Sequence, residues 1–133
     1  IKCPDGYAAV DHNNKVLEVN SQPKSFPIIE GISVQKNVVG EKIAIDETDK
    51  FDIILLYVEL LSNRNLLDQF KSFKMEGYSL RAEMKTGIKV VFGSREDADY
   101  KISALMESIK NSPGVSIGTF DATNPKRVVY SID

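Results

Sequence analysis

Apolar residues recur along this chain with two different periods, and the alternation between them divides it into strands and helices. Tyr7 to Val10 and Lys15 to Val19 are short apolar-rich runs on either side of Asp11-His12-Asn13-Asn14. Asn and Asp tolerate the left-handed backbone that a tight turn demands, so the segment reads as a β-hairpin. Ser21 to Pro27 holds two prolines and two serines and reads as an irregular connector. Pro27-Ile28-Ile29-Glu30-Gly31 is short and apolar and stops at a glycine suited to positive φ. Ile32 to Ile45 fits either a loop or short strands around Gly40.

The period changes after Asp46-Glu47-Thr48-Asp49. Phe51, Leu55 and Val58 recur at helical spacing, with Ile54 and Leu61 beside them. Asp46, Thr48 or Asp49 is expected to cap the first N–H groups, where acid also suits the helix dipole. Asp52 to Leu61 has only two charged residues, so a long buried strand is the competing reading. The cap, the length and the Asn63-Arg64-Asn65 exit favour a helix covered on most sides. Leu66, Leu67 and Phe70 close it.

Lys71–Met75, Leu80–Met84 and Ile88–Phe92 then return to period two, separated by Glu76-Gly77-Tyr78 and Lys85-Thr86-Gly87. Connections this short allow only antiparallel neighbours, a meander. A second helix begins at Gly93-Ser94, with Ser94 as the expected cap and Glu96, Asp97 and Asp99 as first-turn acid. Its apolar stripe is Ile102, Leu105, Met106 and Ile109, with Lys101 and Lys110 outside it. Asn111-Ser112-Pro113-Gly114 ends it. A closing hairpin follows: Val115–Phe120, a turn of Asp121, Thr123, Asn124 and Pro125, and Arg127–Ile132.

The expected fold is α+β: a mostly antiparallel (mixed) sheet of six to eight strands, two helices packed on it and a single core. The closing hairpin is expected at a sheet edge, because no further strand follows to cover its last one. Such an edge presents unpaired backbone groups that recruit another strand. Along it Val128, Tyr130 and Ile132 face one way and Val129 and Ser131 the other. Tyr130 then either packs on the core or anchors a partner. A proline at Val129 is expected to abolish strand addition while sparing the fold.

Composition narrows the function. One core fits 133 residues, of which 42% are hydrophobic and 27% charged. A net charge of −2 without a basic stripe argues against a nucleic-acid partner. No run reaches the ~20 apolar residues of a membrane span, and no signal peptide stands at the start. The opening Ile1-Lys2-Cys3-Pro4, without Met, suggests a fragment of a longer parent. Cys3, in an expected frayed terminus, reads as inert, and His12 as a surface turn residue.

Catalytic signatures are absent: no phosphate-binding glycine loop, no H-E-x-x-H, no G-x-S-x-G, no zinc-spaced cysteine pair. Asp46, Glu47 and Asp49, and Glu96, Asp97 and Asp99, are two acidic clusters. Both fall at helix starts and lack calcium-loop spacing, so capping is the preferred reading over metal. Neither a cofactor nor a metal is expected. A small-molecule module binding between the helices and residues 20 to 46, and a metal-assisted hydrolase built on the acidic clusters, are the alternatives.

Five segments in order resemble the extracytoplasmic β-domain of the FtsQ/DivIB family of bacterial cell-division proteins. Tyr7-Ala8-Ala9-Val10-Asp11 leading to Lys15-Val16-Leu17 is similar to the family's opening hairpin, with Asn14 where glycine usually stands. Phe26 to Gly31 resembles its "L-P-x-I-x-G" segment, and Val39 to Ile43 the glycine step before the first helix. Gly87 to Gly93 resembles "G-x-x-V-x-L-G". Gly114 to Asp121 with Pro125 to Val129 resembles the closing hairpin, where Phe120-Asp121-Ala122-Thr123 replaces "I-D-L-S".

The resemblance implies a non-enzymatic divisome scaffold at the septum, residues 1–133 forming one β-domain without the family's POTRA module and transmembrane helix. It implies a single-pass cell-membrane protein with this domain on the extracytoplasmic side, attached through a segment missing from this chain. The implied partners are the FtsL and FtsB/DivIC-type division proteins, one of which adds a strand to the last strand of the domain. Carried over by position, the contacts would be Arg127, Val128, Val129, Tyr130, Ser131 and Ile132, with Phe120 and Thr123 beside them. Lys126 and Arg127 would discourage promiscuous pairing and meet acidic residues on the partner.

Overall fold

The computed structural model describes residues 1–4, 6–23, 27–115 and 117–132. Lys24, Ser25 and Phe26 of the expected connector, Ser116 of the expected closing hairpin, and Asp5 and Asp133 lie outside the described residues. In chain order the strands before the first helix are β1 (Lys2–Cys3), β2 (Gly6–Val10), β3 (Val16–Asn20), β4 (Ile28–Glu30), β5 (Val34–Lys36) and β6 (Ala44–Ile45). Helix α1 (Thr48–Asn63) and a short 3-10 turn (Leu67–Gln69) lead into β7 (Phe70–Glu76), β8 (Ser79–Met84) and β9 (Lys89–Gly93). Helix α2 (Ala98–Lys110), β10 (Thr119–Asp121) and β11 (Val129–Ser131) complete the described elements.

The fold is α+β, with both helices packed on a mixed six-stranded sheet of order β11-β10-β9-β8-β7-β4. The expected meander is its centre: β7 pairs antiparallel with β8, and β8 with β9. Two pairings are parallel, β4 with β7 and β10 with β9. The second is possible because α2 carries the chain back across the sheet, the crossover that parallel neighbours require.

Alternation decides what the sheet buries. Phe73, Met75, Leu80, Ala82, Met84, Val90, Phe92 and Phe120 meet Ile54, Tyr57, Leu61, Ile102 and Leu105 of the helices. In the opposite phase Lys71, Lys74, Glu76, Arg81 and Lys89 are exposed. A bulge between Phe70 and Ser72 changes the phase, so Phe70 and Phe73 both point inward and their rings stack at 5.3 Å. The long apolar run of α1 is accounted for the same way, since Phe51, Ile53, Ile54, Tyr57 and Leu61 are all buried.

Five expectations need correcting. The core is not single: β1, β2 and β3 form a separate three-stranded sheet over a small cluster of Cys3, Ala8, Val16 and Ile43. Cys3 is accordingly not in a frayed end but buried, in a strand paired with β2. Neither helix has a side-chain cap: Glu47 and Asp97 occupy the N-cap positions without a capping hydrogen bond. Helix α2 starts later than expected, and Ser94 accepts instead from the Glu96 N–H at 3.3 Å. Lys101, placed outside the apolar stripe, is 2% exposed. Its ammonium donates to the Ser94 carbonyl at 3.0 Å, a bond that offsets part of the cost of burying the charge.

Candidate protein-protein interface

The last strand is held by a turn that its own side chains build. Asp121 Oδ1 accepts from the Thr123 N–H at 3.0 Å and the Thr123 hydroxyl at 2.6 Å. Asn124 then accepts twice, from the Lys126 N–H on its side chain and the Arg127 N–H on its carbonyl, each at 3.0 Å. These short polar side chains mimic the backbone and turn the chain by about half a circle within a few residues.

Strand β11 returns antiparallel to β10 with Thr119 opposite Ser131, Phe120 opposite Tyr130 and Asp121 opposite Val129. It is the edge of the six-stranded sheet. The phase of β10 fixes which groups are free. The Gly118 carbonyl accepts from Lys89 and the Ala122 N–H donates to Val91, so the even-numbered residues of β10 bond β9. Thr119 and Asp121 therefore face β11, and their opposites Ser131 and Val129 spend their backbone groups inward. The Tyr130 N–H and C=O point outward, and alternation carries the same sense to Val128 and Ile132.

That phase changes the proline test. Val129 donates inside the hairpin, so a proline there breaks the ladder as well as any added strand. Ile132 is the position where a proline removes an outward donor.

The side chains sort just as clearly. Phe120 is buried, so of the eight residues carried over by position it enters the site only from beneath, as the floor for Tyr130. The two rings lie 4.9 Å apart at 46°, and the Tyr130 hydroxyl donates to the Ile117 carbonyl at 2.7 Å. Tyr130 is thus on the core-facing side yet still 37% exposed. Val128 is half-buried against the core, whereas Thr123, Arg127, Val129, Ser131 and Ile132 are exposed. Ile117, which the sequence did not single out, stands 65% exposed beside them, close to the 74% of Ile132. An apolar margin along an open strand edge is therefore flanked by the exposed cations Lys126 and Arg127. Among the described residues neither cation forms an ion pair.

The corner behind this edge is built from two buried polar groups. The Tyr57 hydroxyl and the Lys101 ammonium both donate to the Ser94 carbonyl, at 2.6 and 3.0 Å. Burial, with a smaller effect from the Asp97 carboxylate, pushes the Tyr57 phenol well above its ordinary value. Burial lowers the Lys101 ammonium, against the opposing pull of Asp97 and Glu96.

A second feature lies elsewhere. A cavity of about 680 Å³ opens between β2, β4 and α1. Its lining includes the apolar Val10, Ile28, Ile29 and Leu55 and the amides Asn14, Asn20, Gln22 and Asn63. Pro23 and Pro27, which line it, stand on either side of the residues left undescribed.

Each acidic cluster contributes an ion pair. Glu47 pairs with Lys50 at 2.6 Å, and Asp99 with Arg64 at the C-cap of α1, whose guanidinium also reaches Ser103 at 2.9 Å. Among the described residues no group of three potential metal ligands converges, and no helix is long and apolar enough to cross a membrane. No protein-family model matches the chain, and no curated protein matches it.

Proposed function

We propose that this chain is a non-enzymatic scaffold domain that binds a partner protein by strand addition at β11. The observation that carries this reading is the open edge itself: an edge strand whose outward Tyr130 N–H and C=O have no strand beside them among the described residues. Backbone pairing there supplies affinity, while Ile117, Val129 and Ile132 supply apolar contacts that a partner strand covers. Exposed Lys126 and Arg127 favour acidic partner residues and hold off self-pairing.

The ordered resemblance to the FtsQ/DivIB β-domain gives this reading a setting. On it, the domain works in bacterial cell division on the extracytoplasmic side of the membrane, and the added strand comes from an FtsL or FtsB/DivIC-type protein. Co-purification with the extracytoplasmic segment of an FtsB/DivIC-type partner tests it. The wild-type chain and Ile132→Ala should retain the segment, and Ile132→Pro should lose it. Equal retention by both variants would end the strand-addition reading.

The cavity between β2, β4 and α1 favours a second reading, a small-molecule-binding module. Its volume lies within the range of small-ligand sites, and a lining of apolar side chains with a few amide groups is their usual chemistry. A thermal-shift screen separates the two readings, because a ligand bound to the folded form alone raises the melting temperature.

A further inference from the structure

We infer that Gly118 is a positioning residue for the edge strand: it leaves the notch that seats the Tyr130 ring and so fixes how β11 is presented. Its functional consequence rests on the strand-addition reading. Gly118 has φ of 103°, a conformation glycine adopts freely and L side chains avoid. A Cβ at that position would lie 2.7 Å from both the Tyr130 hydroxyl and the Ser131 carbonyl oxygen, and 2.8 Å from the ring carbon Cε1. Such approaches are far inside van der Waals contact, so any side chain at 118 displaces the ring or the strand.

The notch is anchored and the ring is held on three sides. The Gly118 carbonyl accepts from the Lys89 N–H at 2.9 Å, tying the notch to β9. Phe120 lies beneath the ring, the Ile117 carbonyl takes its hydroxyl, and the Gly118 backbone forms the third wall. An aromatic side chain laid over a cross-strand glycine is a known device for pinning register. Here it matters because every residue of β11 is exposed and the strand has a neighbour on one side only. Without the seated ring, β11 keeps its inward ladder bonds and the half-buried Val128, and little else.

The test is a double-mutant cycle in the 133-residue chain, read by amide hydrogen exchange at Val129 and Ser131, whose N–H groups face β10. Gly118→Ala should speed exchange there by about tenfold or more, leaving β7 and β8 unchanged, since local opening is independent of the global event. In a Tyr130→Ala background the same glycine substitution should add clearly less, because the ring it displaces is gone and only the Ser131 carbonyl contact and the positive φ remain. Tyr130→Phe, which keeps the ring and removes the bond to Ile117, should give a smaller increase and reports on the latch even if Gly118→Ala folds poorly. Equal effects of Gly118→Ala in both backgrounds would overturn the proposal, since backbone strain alone would then explain them. Partner capture distinguishes the two ideas. Coupled exchange with no capture of the FtsB/DivIC-type segment by the wild-type chain retains the latch and sinks strand addition. Capture with uncoupled exchange does the reverse.

Discussion

Two hairpins of the same sheet serve opposite ends. In β7–β8 six residue pairs run from Phe70 opposite Met84 to Glu76 opposite Ser79, and strands lie on both outer sides. In β10–β11 three pairs form, and β11 has a neighbour on one side. The first hairpin buries Phe70, Phe73, Met75, Leu80, Ala82 and Met84, the second Phe120. A strand with both backbone rows paired can add nothing to a partner. A strand with one row free costs little to open and has something to offer, which is why binding elements are drawn from the less stable parts of a fold.

The sharpest way to break this contrast is to cut into the first hairpin. Phe73 is fully buried and stacked on Phe70, so Phe73→Ala should cost about 3–5 kcal/mol. Domains of this kind hold about 5–15 kcal/mol in all, so the urea midpoint should fall sharply and every probe should move together. A loss confined to one strand would show that the central hairpin is not the nucleus of stability it looks to be.

Val129→Pro probes the second hairpin. It deletes the inward donor opposite Asp121, a net loss of about 1–2 kcal/mol felt locally. Exchange at Ser131 should quicken while the amides of β8 keep their protection. Spread of the effect into β8 would mean that the two hairpins open as one unit.

Much of this contrast was legible in the chain. The meander, both helices and the closing hairpin follow from periodicity and turn chemistry, which are local properties. The parallel pairings of β4 with β7 and β9 with β10 were not legible, because short apolar runs carry no sign of which distant strand they join. Lys101 misled for a different reason. It was read as lying outside the apolar stripe because of its charge, whereas its spacing from Ala98 and Leu105 puts it on the buried face, where the Ser94 carbonyl receives its ammonium. The edge was foreseen, whereas the roles of Gly118 and Ile117 were not. A glycine inside an expected strand hinted at a close approach, yet its partner, the Tyr130 ring, lies across the hairpin.

Between the two hairpins stands the corner where Tyr57 and Lys101 share the Ser94 carbonyl. Tyr57→Phe should cost about 1 kcal/mol at neutral pH. The larger signature is alkaline. With its folded pKa raised above 10, the Tyr57 phenol keeps its proton while the unfolded chain loses one, so stability falls as pH rises past about 10. Lys101 has the opposite sign: its folded pKa is lowered, so its contribution improves as pH climbs toward 10.5. Tyr57→Phe should therefore flatten the alkaline fall in melting temperature. An unchanged slope would place the titrating group elsewhere.

The smallest effect on stability should come from the most exposed apolar residue of the edge. Ile132 is 74% exposed, so Ile132→Lys should move the folding free energy by no more than about 0.5 kcal/mol in either direction. Its effect on binding should be disproportionate, because the added cation replaces an apolar contact and joins Lys126 and Arg127 along the margin that an acidic partner strand covers. The complex should then lean more on attraction between opposite charges, so its affinity should fall more steeply with added salt than that of the wild-type chain. An affinity with the wild type's salt dependence would contradict this. A variant neutral for folding and salt-sensitive for binding would separate what holds this sheet together from what its edge is for.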